Sequence, residues 1–169
     1  MSRTARCRDS LVLITAATAV GTAVLAWALT AKAEDLAKGQ AIWEKGECSM
    51  CHGWSGDGIG SADHGAPSLR VRHLSRAKIR EIIRCGRGAD MPYFDRFAYT
   101  DNKPCYGKTA KELGNQMPDR SPVTLQPYEI DPLAGYVVTK IMGAGAVTRA
   151  ECVEFFGGAG SQCDKYPER

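Results

Sequence analysis

The chain has 169 residues, of which 44% are hydrophobic and 24% charged, as expected of one globular domain rather than a disordered or fibrous protein. Its formal net charge of +3 is too small to indicate a nucleic-acid-binding protein. Seven cysteines are many for this length, and their positions carry most of the information.

The N-terminal segment has the pattern of a secretory signal peptide. A basic start over residues 3–8 precedes an uncharged stretch over residues 11–29, and small residues follow at Ala31 and Ala33. We therefore expect cleavage after Ala33, removal of residues 1–33 and export to the periplasm. Because the uncharged stretch is close to the length that spans a bilayer, an uncleaved membrane anchor is the alternative.

Removal of this segment changes the charge balance. Residues 34–169 contain 18 basic and 18 acidic side chains, so the mature chain has no net charge. The charge is nevertheless uneven, because seven basic residues lie between Arg70 and Arg87 against the single acidic Glu81. Such a strip either steers an acidic redox partner or is only the solvated face of a helix.

One motif carries the chemistry of the chain. Cys48-Ser49-Met50-Cys51-His52 is a C-x-x-C-H sequence, the attachment signature of a c-type haem. Two thiols at this spacing can add to the two vinyl groups of one porphyrin edge, and the adjacent imidazole can ligate the iron. A thioredoxin-like pair would need a βαβ pattern, and a structural zinc site would need four ligands in paired spacings. The motif therefore predicts one covalent haem c held by Cys48, Cys51 and His52.

Apolar residues at helical spacing predict helices on both sides of the motif. The first covers residues 36–43. A second begins after the N-cap Ser75, carries Ile79, Ile82 and Ile83 on one face, and ends at the glycines of residues 86–88. These helices lie before and after the segment that would surround the haem.

The second half of the chain predicts three more helical segments. A short turn covers residues 109–113, and the last long helix begins near Asp131, with Pro132 in its first turn, and ends near Ile141. A capping-box pattern at residues 148–151 precedes a short helix over residues 150–156. The predicted fold class is all-α.

The order of these elements resembles the class I cytochrome c family. Gly39, Trp43 and Tyr136 match the positions at which the N- and C-terminal helices of that family cross in near contact. The resemblance implies a small cytochrome c fold around one covalently bound haem, as a single domain over residues 34–169. Within this domain, residues 95–122 would be a loop insertion after the methionine loop, and residues 143–169 a C-terminal extension.

The resemblance also implies a residue that orients the axial histidine. Residues 64–69 are similar to the Gly-Pro-x-Leu segment of the family, with one extra residue before Pro67. In that family the proline carbonyl accepts a hydrogen bond from the free ring nitrogen of the axial histidine. Pro67 is accordingly the expected partner of His52, and this bond would fix the orientation and tautomer of the imidazole.

A methionine is the expected second axial ligand. Met91 follows a helix and a glycine-rich break and precedes a proline, which resembles the sixth-ligand loop of the family. Met117 also precedes a proline and lies shortly before the last helix, and His64 or His73 could instead give bis-histidine ligation. The resemblance favours Met91, whose soft thioether would stabilise ferrous haem.

Four cysteines remain after haem attachment, and in an oxidising compartment we expect them to be paired. Of the three possible pairings, Cys85 with Cys105 and Cys152 with Cys163 close the shortest loops. The first disulfide would tie the helix before Met91 to the insertion, and the second would close the C-terminal tail.

These features predict a periplasmic electron carrier and not an enzyme, since an iron with both axial positions filled has no site for a substrate. The resemblance suggests redox partners such as a quinoprotein dehydrogenase, a cytochrome complex or an oxidase, with no nucleic acid and no membrane unless the N-terminal segment is retained. One alternative is an enzyme or sensor that binds a gas or peroxide at an open or labile sixth position. Another is a membrane-tethered cytochrome subunit of a larger redox complex.

The signal-peptide prediction is tested by the N-terminus of the purified protein. We expect Glu34 as the first residue and recovery of the protein in the periplasmic fraction, because the small residues before it form the cleavage site. Mass spectrometry of the intact protein measures this directly. An N-terminus upstream of residue 11, together with recovery in the membrane fraction, would establish the anchor instead.

Overall fold

The computed structural model describes residues 32–61, 65–88 and 90–168, so most of the predicted signal segment lies outside the described residues. The chain divides into two units, Met1–Asp35 and Leu36–Arg169. The described part of the first unit, residues 32–35, is helical. Within the described ranges, no helix is both long and apolar enough to cross a membrane.

The second unit is mainly helical. Its helices are α1, which ends at residue 45, α2 (Cys48–His52), α3 (Arg76–Cys85), α4 (Ala110–Leu113), α5 (Pro127–Tyr136) and α6 (Arg149–Phe156). A π-helical turn, Val137–Ile141, continues α5, and 3₁₀ turns cover Gly114–Gln116 and Ser161–Cys163. Two short strands, β1 (Tyr93–Asp95) and β2 (Arg120–Leu125), complete the unit.

Helices α1 and α5 contact each other at Gly39. A Cβ atom at this position would lie 2.5 Å from both the Pro132 carbonyl oxygen and the Tyr136 Cβ, so only glycine fits. The rings of Trp43 and Tyr136 pack beside this contact, with centroids 6.3 Å apart. These are the residues for which the resemblance implied close helix contact, while their arrangement around a haem stays a prediction.

Helix α3 has the cap and the buried face that its sequence predicts. The Ser75 side chain accepts a hydrogen bond from the Lys78 backbone N–H, and the helix ends at Gly86. Ile79, Ile82 and Ile83 are buried. Through this face α3 packs on the main core, whose buried members are Ile42, Trp43, Ile79, Ile83, Phe94, Leu125, Ile130, Leu133, Ala134, Tyr136, Val137 and Ile141.

The insertion is bounded by paired strands, which the all-α prediction did not include, within a unit that is mainly helical as predicted. β1 and β2 pair in parallel, with Tyr93 opposite Arg120 and Asp95 opposite Leu125. A strand of three residues is too short to show an alternating pattern, and Pro122 argued against a strand in the second segment. The pairing brings the two ends of the insertion side by side.

Helix α5 begins at Pro127, earlier than the expected start near Asp131. Pro127 occupies the first turn, where a missing N–H costs little, and Gln126 forms a capping box with Glu129. Pro132, expected in the first turn, instead lies inside the helix. Its missing donor leaves one helical bond unmade, and the strong N-terminal cap explains why the helix nevertheless starts before it.

The predicted disulfide pairing is confirmed. Cys85 is joined to Cys105 and Cys152 to Cys163.

The C-terminal extension packs through a buried arginine. Arg70 is only 4% exposed, and its guanidinium donates to the Glu151 carboxylate and to backbone carbonyls at residues 55 and 144–146. Arg70 therefore belongs to the interior and not to the expected basic surface strip.

The Gly39 contact gives a stability prediction. Alanine is the better helix former by about 1 kcal/mol, yet Gly39→Ala should lower the free energy of unfolding by about 1–3 kcal/mol, because the added methyl overlaps α5. Gly158→Ala is the matched control, since nothing lies within 4 Å of a Cβ there. Denaturant unfolding compares the two variants. Equal stability of both would show that α1 and α5 are not in close contact at Gly39.

Candidate haem-binding site

The C-x-x-C-H motif forms a helix of its own. A tight turn with Glu47 at a φ of 54° separates it from α1. The following loop then folds back on this helix: the Gly58 N–H donates to the His52 carbonyl at 2.8 Å, and the Ala66 N–H donates to the Cys51 carbonyl at 3.0 Å. The motif is thus held from both sides by backbone hydrogen bonds.

The two motif cysteines are free thiols, whereas the other four described cysteines are paired. Burial raises the pKa of the Cys48 thiol to about 12. Within the described ranges, no group of three or more His, Cys, Asp or Glu side chains could hold a metal ion.

His52 has the environment of a neutral ligand. Burial lowers its pKa, which leaves a ring nitrogen with a free lone pair at neutral pH. The Trp43 ring lies beside the imidazole, with centroids 5.9 Å apart. The Nδ1 atom is buried and has no hydrogen-bond partner. The expected bond to the Pro67 carbonyl is therefore not formed here, although the adjacent Ala66 bonds to the motif, and the role of Pro67 stays a prediction.

The candidate sixth ligands lie in different environments. Met91 is half-buried and packs against the main core, as Cys48 does. Met117 packs against a separate cluster around the Cys85–Cys105 disulfide. The ring of His73 lies against the backbone of Gly143, and His64 falls outside the described residues.

The donor set fits a covalently attached haem. Two unpaired thiols stand at the required spacing, next to a neutral imidazole with one ring nitrogen unused. Apolar side chains beside them face outward, with Met50 47% and Ile59 80% exposed, and a haem edge would cover such surface. Within the described ranges, no further His, Cys, Asp or Glu side chain joins them to form a zinc site.

Comparison with known families agrees with this chemistry. Residues 34–103 match the family model described as cytochrome c oxidase, cbb3-type, subunit III. The match indicates a c-type cytochrome domain in this part of the chain. The matched segment includes the motif, α3 and Met91, and the class I resemblance is consistent with it. No curated protein and no solved structure gave a significant match.

Some contacts between distant segments of the chain have no clear signal in the sequence. Trp54, two residues after the motif, packs against Phe155, Phe156 and Tyr166 of the extension. Its indole N–H donates to the Tyr166 hydroxyl at 3.2 Å. Arg70 was counted with a run of surface charges, and nothing in the local pattern distinguishes it. Both contacts join segments more than 70 residues apart, which a local pattern cannot reveal.

The free-thiol pair predicts which cysteines carry the haem. Cys48→Ala and Cys51→Ala should each leave at most one thioether, and the double variant should lose all haem that resists acid-acetone extraction. Cys152→Ala/Cys163→Ala is the control, which should keep its covalent haem because this pair forms a disulfide. The pyridine haemochrome spectrum counts the remaining thioethers. Normal covalent haem in the Cys48→Ala/Cys51→Ala variant would contradict the assignment.

Proposed function

We propose that the protein is an exported mono-haem electron carrier, in which Cys48 and Cys51 bind haem c and His52 and Met91 ligate its iron. The observation that carries this proposal is the pair of free thiols beside a half-buried, neutral imidazole in one short helix. Haem c supplies, when bound, an iron that exchanges single electrons between its ferric and ferrous states. The sequence holds one C-x-x-C-H motif, which supports a single haem.

The residues of the chain would bind and enclose this group. Cys48 and Cys51 would fix the porphyrin edge, and His52 would bind from one side with its neutral nitrogen. The core behind Cys48 excludes water from that side. An apolar, water-poor environment with a thioether ligand favours the ferrous state and raises the reduction potential.

Two observations support Met91 as the second axial ligand. Met91 packs against the same core cluster as Cys48, whereas Met117 packs against the disulfide cluster. The segment that matches the family model, residues 34–103, contains Met91 and stops before Met117. With this position filled, the chain would transfer electrons without binding a substrate at the iron.

The proposed partners are other redox proteins of the periplasm: a dehydrogenase, such as a quinoprotein, or a cytochrome complex as donor, and an oxidase as acceptor. The α3 cations are less suited to steering than the sequence suggested. Arg76 and Arg80 both pair with Asp131, and Lys78 pairs with Glu81.

A second candidate is a cytochrome subunit of a membrane-bound oxidase-like complex. The printed description of the matching family, an oxidase subunit, favours it, as does the uncharged stretch of residues 11–29. Both candidates use the same haem site and differ in the N-terminus and the stable partner. Purification from solubilised membranes separates them, since only a complex subunit would co-purify with other haem proteins in stoichiometric amounts.

The ligand assignment is tested by paired methionine variants. Met91→Ala should abolish the weak red absorption band of methionine-ligated ferric haem, lower the reduction potential and allow rapid binding of imidazole, because the soft ligand is gone. Met117→Ala should keep the band and lose only packing stability. Optical redox titration measures both variants. If only the Met117 variant loses the band, Met117 is the ligand, and a wild-type protein without the band would point to the gas- or peroxide-binding alternative.

A further inference from the structure

The backbone that leads to Met91 is held at the C-terminal end of α3. Gly86 ends the helix with a φ of 70°, and a Cβ atom there would lie 2.5 Å from the Met91 carbonyl oxygen. The Arg87 N–H donates to the same oxygen at 2.9 Å, and the Met91 N–H donates to the Arg87 carbonyl at 3.4 Å. The position of Met91 therefore depends on where residues 85–87 lie.

Two tyrosines of the insertion form hydrogen bonds with consecutive carbonyl groups at this end of α3. The Tyr99 hydroxyl donates to the Cys85 carbonyl at 2.6 Å, and the Tyr106 hydroxyl donates to the Gly86 carbonyl at 2.7 Å. The carbonyls of the last helical turn lack partners within the helix, so these hydroxyls satisfy two of them. The Cys85–Cys105 disulfide joins the same two segments.

The backbone of both tyrosines is also unusual. Tyr99 has a φ of 63° and Tyr106 a φ of 53°, in the left-handed region that side-chain-bearing residues rarely adopt. Such conformations persist where the surrounding structure holds them, and they are concentrated at functional sites. Tyr99 is buried and packs edge-on against Tyr93, two residues after Met91, whereas Tyr106 is 43% exposed. Packing alone therefore does not explain the conformation of Tyr106.

We propose that Tyr99 and Tyr106 are positioning residues for the axial methionine: their hydroxyls fix the Cys85 and Gly86 carbonyls and so hold the loop that presents Met91 to the iron. This inference rests on the proposed role of Met91. It assigns to the insertion a purpose beyond covering the surface. The two tyrosines touch neither the haem thiols nor His52 among the contacts described, so they would act only through the backbone of residues 85–91.

The test uses the holoprotein with single Tyr99→Phe and Tyr106→Phe substitutions and the double variant, which keep the rings and remove the hydroxyls. Imidazole binding to the ferric protein requires the methionine to leave the iron, so its rate reports how firmly Met91 is held. Since one hydrogen bond contributes about a factor of three to ten, each single variant should bind imidazole roughly three- to tenfold faster. The red methionine band should remain, because the ligand itself is present.

Tyr166→Phe is the matched control. It removes a tyrosine hydroxyl that accepts a hydrogen bond from Trp54, in a different part of the molecule. Thermal unfolding of all variants should show comparable losses, whereas only the Tyr99 and Tyr106 variants should accelerate imidazole binding. Equal acceleration in Tyr166→Phe, or unchanged imidazole-binding rates in both the Tyr99→Phe and Tyr106→Phe variants, would overturn the proposal.

The outcome is separable from that of the proposed function. If Met91→Ala opens the iron while the tyrosine variants bind imidazole at the wild-type rate, Met91 is the ligand and the proposed positioning role of the tyrosines is wrong. If Met91→Ala keeps the methionine band, the ligand assignment fails and the positioning role fails with it. Acceleration in the tyrosine variants together with an open iron in Met91→Ala supports both.

Discussion

The motif helix α2 is not stable by itself, and the geometry of the site depends on the contacts that hold this helix in place. Five residues make barely more than one turn, too short to be stable alone, and this helix has neither a side-chain cap nor a buried residue. Its rigidity comes from the left-handed turn at Glu47 and from the loop that bonds back to the Cys51 and His52 carbonyls. Covalent attachment needs two thiols and an imidazole in fixed relation, so these backbone bonds are a condition of the chemistry.

The C-terminal extension reinforces the same loop from outside. Arg70 connects the carbonyl of Ser55, just after the motif, with Glu151 of α6. Burial alone would raise the pKa of Glu151, but hydrogen bonds from Arg70 and Thr148 lower it on balance, so the pair stays charged. Because Arg70 is buried, loss of Glu151 would leave its charge without this partner and destabilise the folded chain. The extension is therefore joined to the domain core and is more than an appended tail.

The features that could be predicted from the sequence are those that depend on interactions between residues close together in the chain. The motif spacing, the Ser75 cap, the isoleucine face of α3 and the two short-range disulfides were all readable from neighbouring residues. The strands β1 and β2 were not, because a parallel pair joins segments 25 residues or more apart, β1 is too short to show alternation and β2 contains Pro122. Arg70 was misassigned for the same reason: its burial is decided by the loop at residues 144–146, far along the chain. The motif spacing is a local feature, whereas the backbone bonds that hold the motif and the Met91 loop are set by tertiary contacts.

The parallel pairing explains how a long insertion can coexist with a small helical core. Because Tyr93 lies opposite Arg120 and Asp95 opposite Leu125, the chain leaves the core and returns to it at neighbouring points. Phe94 and Leu125, one from each strand, are both buried in the main core with α1 and α5. The same closure holds Tyr99 and Tyr106 next to the end of α3, where their hydroxyls reach its last carbonyls. Because the insertion is fixed at both ends by the strand pairing and joined to α3 by the Cys85 disulfide, it can restrict the position of the Met91 loop. A free loop of that length could not do so.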